Sequence, residues 1–202
     1  CIKVSVSLND QLIMGLDPFN VEQYRLDLAG EDIDASDDQL NMARQFCEQQ
    51  GIEVHLRAGD MRHIPFEDET FDYVFICFLL EHLKKPIDAL LELKRVLKYE
   101  GMMMVIEGDH GSTFFYPDSN FANSAINCKI QLQKKNGGNS NIGRELYPLL
   151  SSVGLSYISV SPRVVYVDSS KPQLVKGFIQ NTFTAMIEGI GKEAIGDGLT
   201  DQ

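Results

Sequence analysis

Tyr73 to Phe78 reads YVFICF, with no polar face. A strand wet on one side alternates, so an unbroken apolar run implies burial on both sides, as in a parallel sheet covered by helices. The neighbouring segments fit that frame. Val54, Leu56 and Ala58 alternate as a short strand, and Met102 to Ile106 reads as another buried strand. Between Phe78 and Met102, Pro86 can open a helix. Its apolar face is Ile87, Leu90, Leu91, Val96 and Leu97, with Gly101 as the stop. Ser36 with Gln39 three residues on is a capping box, after which Leu40, Ala43 and Cys47 recur at helical spacing toward Gly51. Strands that alternate with helices predict an α/β fold, a Rossmann-like three-layer sandwich with a mostly parallel sheet.

The flanks are less regular. Two segments compete for the first strand, Ile2 to Ser7 and Tyr24 to Gly30. Residues 112–141 are polar and read as an irregular lid, with a loop at Gly137-Gly138-Asn139-Ser140-Asn141. Gly143 to Val153 should be a helix and Leu155 to Val160 a strand. Pro162 interrupts that strand, and Val164 to Val167 can continue it. From Pro172 to Ile190, Leu174, Val175, Phe178, Met186, Ile187 and Ile190 predict an amphipathic helix, followed by a frayed tail from Gly191. The whole length of 202 residues suits one domain: 31–111 as a ligand-binding half, 112–168 as lid and last strands, 172–190 as a helix.

Charge narrows the partners. A net charge of −11 disfavours a phosphate backbone, whose affinity comes largely from Lys and Arg, so no nucleic acid is expected. The longest apolar run, Tyr73 to Leu80, is too short to span a bilayer, and no leader is read at the start. Cys1, Cys47, Cys77 and Cys128 have neither zinc-site nor disulfide-framework spacing, which points to a reducing cytoplasm and no metal. Cys77 is expected as a buried small hydrophobe. A start at Cys1 suggests a processed, trimmed or partial chain, and a homodimer stays open as its assembly.

Open α/β sheets bind ligands beyond the carboxyl ends of their strands, where several residues fall. Asp34 could accept from a ribose diol, or could join Asp32, Asp37 and Asp38 at a helix N-terminus. Asp60 could accept from the exocyclic amine of adenine, with the Met61 amide donating to the ring, or could be a turn Asp. Cys77 and Phe78 could bring backbone to the ligand or simply pack.

The order of these features resembles the cofactor half of a class I S-adenosylmethionine-dependent methyltransferase. Asp34-Ala35-Ser36 is similar to the family's ribose-binding position, and Asp60-Met61 with Ile64-Pro65-Phe66 to its adenine-binding pair. Phe71-Asp72, Leu80-Glu81-His82-Leu83, Ala89-Leu90 and Arg95-Val96-Leu97-Lys98 resemble its fourth strand and following helix. Glu107-Gly108-Asp109-His110-Gly111 is similar to a tract of small microbial members, and the resemblance covers residues 31–168. It implies S-adenosylmethionine as cofactor and a small-molecule acceptor, with Asp34, Ala35, Asp60, Met61, Cys77 and Phe78 around the cofactor. His110 is the candidate general base, because imidazole titrates near operating pH. Asp109 would orient it or bind the acceptor.

One part of the family pattern is missing: no Gly-rich loop precedes Asp34. Either Cys1-Ile2-Lys3 is the remnant of a Gly-Cys-Gly loop, or Tyr24 to Gly30 is a first strand whose loop and helix are lost. The rival to an enzyme is therefore a non-catalytic remnant or partner subunit of the same fold. A nicotinamide-dependent oxidoreductase is disfavoured by the absent fingerprint.

Overall fold

The computed structural model describes residues 3–7, 30–34, 40–41, 44–45, 48–49 and 54–200. Five strands form one sheet: β1 (Lys3–Ser7), β2 (Gly30–Asp34), β3 (Val54–Ala58), β4 (Phe71–Cys77) and β5 (Leu97–Ile106), in the order β3-β2-β1-β4-β5. The pairs β2–β3 and β4–β5 are parallel, as a sheet fed by helical crossovers should be. The expected parallel arrangement has one departure. β1 sits between the two pairs and runs antiparallel to both, with Lys3 opposite Cys77 and Ser7 opposite Gly30. Lys3–Ser7 thus takes the first-strand place in the sheet, and Tyr24 to Ala29 lie outside the described residues.

Helix α1 (Pro86–Val96) opens with Pro86 in its first turn and buries Ala89, Leu90, Leu93 and Val96 on the sheet. These join Phe71, Val74, Ile76, Leu79 and Leu80 in the main core. The motif residues of this region hold the fold together. Arg95 on α1 donates to the Ile64 and Phe66 carbonyls and pairs with Asp68 and Glu92. Glu92 in turn accepts from the Ile64 amide at 2.9 Å, so the loop after β3 is stapled to α1. Lys98 pairs with Asp72 at 2.8 Å beside the start of β4.

Gly101 does not end that helix. The chain turns extended at Leu97, which pairs with Phe71, and the next pair is Met102 with Tyr73, so residues 98–101 bulge from the ladder. The close approach falls on Gly101, where a Cβ would lie 2.6 Å from Leu97 Cδ1 and 2.9 Å from the Asp72 carbonyl. Within the segment expected as the first long helix, Leu40, Asn41, Arg44, Gln45, Glu48 and Gln49 are helical and Leu40 is buried, while Ser36 to Gln39 lie outside the described residues.

Residues 112–141 are not an irregular lid. They contain α2 (Asn120–Lys135), whose Ser119 cap accepts from the Ala122 amide. The buried face is short, formed by Ile126, Cys128, Lys129 and Leu132, which leaves too little apolar periodicity to read. After it, residues 142–145 form a 3-10 turn into α3 (Leu146–Ser152), as the helix expected over Gly143 to Val153 requires. No strand forms at Leu155 to Val160 or Val164 to Val167. Alternation gives a strand only where a partner edge receives it. Here Tyr157, at φ 54, interrupts the extended chain, and Tyr157, Val160, Val164 and Tyr166 are exposed. Pro162 also lacks an amide to donate. The chain is helical from Pro172 through a π-helical Val175–Thr184 into α4 (Ala185–Gly196). The tail is not frayed: Ala194 is buried against Cys128 and Leu132 of α2, and Leu199 packs beside them.

Candidate functional site

The carboxyl ends of β2, β3, β4 and β5 share one edge, with Asp34 opposite Ala58 and Cys77 opposite Ile106. Asp34 closes β2, as expected; its side chain and Ala35 lie outside the described residues. Asp60 lies two residues past β3 and behaves as a turn Asp. Its Oδ1 accepts from the Arg62 amide at 2.9 Å, and both oxygens pair with the Arg62 guanidinium. Those bonds hold its carboxyl well below the usual carboxylate range. The pair is half open to water, so a ligand can displace Arg62 without unfolding anything. Asp60→Asn should therefore leave thermal melting almost unchanged, because exposed pairs contribute little. A large drop in the melting temperature would make Asp60 a structural cap instead.

The Met61 side chain is buried in the main core, which leaves only its backbone for a ligand. Cys77 is half-buried rather than fully buried. Phe78 has φ 50, a left-handed conformation unusual for a bulky side chain, and its amide donates to the Ile106 carbonyl at 2.8 Å. The strained backbone therefore lies at the junction of β4 and β5, where strand-end ligands approach.

Past β5 the structure rearranges the expected roles. Asp109 does not orient His110. Its carboxylate accepts from Arg144 at 2.6 Å and from the Ser112 hydroxyl at 2.7 Å. Burial alone would raise its pKa, but these bonds outweigh it and hold the group low. His110 is mostly buried. It is 14% exposed, with Nε2 3.4 Å from Glu81 Oε2. Its ring stacks on Phe183 of the π-helical segment, with centroids 6.4 Å apart.

Glu81 is the residue that sequence reasoning missed. Its signal was a carboxylate inside the apolar run Leu79-Leu80-Glu81-His82-Leu83, quoted as motif but given no role. Its side chain is 7% exposed and lies 3.9 Å from Lys129 Nζ, itself 9% exposed. Gln133 Nε2 donates to Glu81 Oε2 at 3.2 Å and to the Glu81 carbonyl at 2.7 Å, while Lys129 donates to Gln133 Oε1. Burial by itself would raise the Glu81 carboxyl. His110, His82 and Lys129 overcome that and hold it below its ordinary value. Burial pushes the Lys129 ammonium down. Behind this group, Glu107 accepts from the Leu79 and Leu80 amides at 3.0 and 2.7 Å. Burial pushes its carboxyl up to about 7. Among the described residues no group of three or more His, Cys, Asp or Glu side chains is placed to hold a metal ion.

Comparison with known proteins bears on this edge. Residues 25–105 match the family model described as a methyltransferase domain. Over that segment the chain is similar to class I methyltransferases. The chain's fold is similar to that of the YcgJ protein from Bacillus subtilis, at TM-score 0.51 and 19% identity over 77% of this chain and 64% of that one. It is 31% identical to an uncharacterized 37.1 kDa transposon protein of Streptomyces fradiae, over 78% of this chain and 45% of the relative. A demethylmenaquinone methyltransferase of Lactiplantibacillus plantarum is 40% identical over 37% of this chain and 32% of its own length. The chain thus spans less than half of these curated relatives. No helix among its described residues is long and apolar enough to cross a membrane.

Proposed function

We propose that the chain serves S-adenosylmethionine-dependent methyl transfer to a small-molecule acceptor. One observation carries this reading: Asp34 closes β2 and Asp60 lies just past its parallel neighbour β3, on the edge where β4 and β5 also end. That spacing suits a nucleoside, with Asp34 toward the ribose hydroxyls and Asp60-Met61 toward adenine. When bound, the cofactor supplies an activated methyl group, and the protein contributes mainly alignment. The net charge of −11 supports a small acceptor over nucleic acid. Thiols at Cys77 and Cys128 suit a reducing cytoplasm.

The methionine end fits less well. No Gly-rich turn precedes Asp34, and β1 runs the other way, so its carboxyl end lies at the far edge. This favours a second reading, a partner subunit of the same fold without transfer activity. Calorimetric titration with S-adenosylmethionine and its demethylated product, on this chain and on the full gene product, separates the two. The full gene product should bind both ligands, and this chain weakly or undetectably. Asp34→Ala should weaken binding at least tenfold, since bonds to a charged acceptor contribute about 1.5–3 kcal/mol each. A folded gene product that binds neither ligand would leave the partner-subunit reading. Micromolar binding by this chain would show that its N-terminal segment supplies the methionine contacts.

A further inference from the structure

We propose that Glu81 is the positioning carboxylate of a Glu81–His110 pair and makes Nδ1 of His110 the proton-accepting nitrogen of the site. The proposal rests on the methyl-transfer reading above. Nε2 of His110 faces Glu81 Oε2 at 3.4 Å, and among the described residues Nδ1 has no hydrogen-bond partner. A carboxylate on one imidazole nitrogen fixes the tautomer and leaves the other to accept a proton. The ring plane is set from the other side by Phe183, and the His110 amide donates to the Ser140 carbonyl at 3.0 Å.

Glu81 is itself held. Gln133 donates to it, and Ser140 donates to Gln133 Oε1 at 2.7 Å, so α2 and the loop after it build a second layer around the carboxylate. Such a buried polar network is costly unless every member is satisfied, and it fixes its members in one arrangement. The charged groups around His110 are Glu81 and His82 from the segment after β4, Lys129 from α2, and Glu107 and Asp109 from its own segment, the last paired with Arg144. Glu81 is the one in contact with the ring. When an acceptor hydroxyl or amine gives up a proton, Nδ1 takes it. The Nε2–H then donates to Glu81, whose charge opposes that of the imidazolium, and the proton later passes to solvent.

The test needs no cofactor and uses the whole chain. Proton spectra should show an imidazole N–H resonance far downfield that is absent in His110→Ala. In Glu81→Gln it should move upfield or vanish. Acylation of His110 by diethyl pyrocarbonate, followed by peptide mass spectrometry near pH 8, should slow severalfold in the same variant. A lost basicity lowers Nδ1 nucleophilicity, which a purely structural bond would not control. If Glu81→Gln does not melt cooperatively, Glu81→Asp, one methylene shorter, should give the same two changes. Absence of the downfield resonance overturns the proposal, as do unchanged resonance and acylation in a folded variant. Loss of S-adenosylmethionine binding by the full gene product, with both signals intact, would count against the methyl-transfer reading alone.

Discussion

Glu107→Ala is expected to lower the unfolding free energy by roughly 3–5 kcal/mol. One oxygen of this carboxylate accepts from the Leu79 and Leu80 amides and the other from the Glu81 amide at 3.4 Å. Leu79 and Leu80 are completely buried, so water cannot replace the lost acceptor. Urea unfolding of the parent and of Glu107→Gln across pH 5 to 8 adds a second reading. The folded carboxyl is pushed up to about 7 from an ordinary 4.5. Between those values the folded state keeps a proton that the unfolded chain has released. Stability should therefore fall as pH rises through the window, by on the order of 3 kcal/mol, and level off above it. Glu107→Gln removes that slope. His82, whose pKa burial lowers, contributes a rise with pH toward 6.5 in both proteins, so the difference between the two curves isolates Glu107. Identical pH profiles for parent and variant would show that Glu107 is ionised throughout.

The second large effect is expected from two glycines of the loop after α2. At Gly138 a Cβ would lie 2.5 Å from the Glu81 carbonyl, and at Gly143 one would lie 2.8 Å from the Gly108 carbonyl and 3.0 Å from that of Glu107. These are backbone atoms and cannot rotate away. Each alanine must push the loop off the backbone that follows β4 or β5, at a cost of about 1–3 kcal/mol. Gly189, inside α4 with nothing within 4 Å of its Cβ position, is the control. Alanine there should stabilise by up to about 1 kcal/mol. Melting curves of the three variants settle the point. Equal behaviour at Gly138, Gly143 and Gly189 would mean that the loop adapts freely.

The fold was legible where burial is strong. β4 could be read because apolar residues fill both faces, and α1 because Leu90 and Val96 recur on one face, although Ile87 and Leu91 of the expected face are exposed and Leu97 begins β5. Where burial is thin the sequence is mute. α2 buries two large aliphatic side chains, Ile126 and Leu132, and its fixed position comes from Lys129 and Gln133, polar residues that no periodicity marks. Leu155 to Val167 shows the reverse, since an alternating pattern without a receiving edge gave no strand. The places of Asp34 and Asp60 at strand ends were legible because strands and acidic residues alternate in order. Glu81 was not, because its partners come from His110, Lys129 and Gln133, and contact across 29 to 52 residues leaves no trace in spacing. The pairing of Asp109 with Arg144 and of His110 with Glu81 was hidden for the same reason.

The loop after α2 ties several elements at once. The Asn139 amide donates to the Glu81 carbonyl, the Gly143 amide to the Gly108 carbonyl, and the Ser140 carbonyl accepts from His110. Backbone from one short stretch thereby bonds to the segments just past the ends of both β4 and β5. Helix α2 is then no independent flap but part of one cooperative unit, which opens together with those strand ends or stays shut. Between the bonded parts, residues 113–119 leave Phe114 and Tyr116 facing solvent.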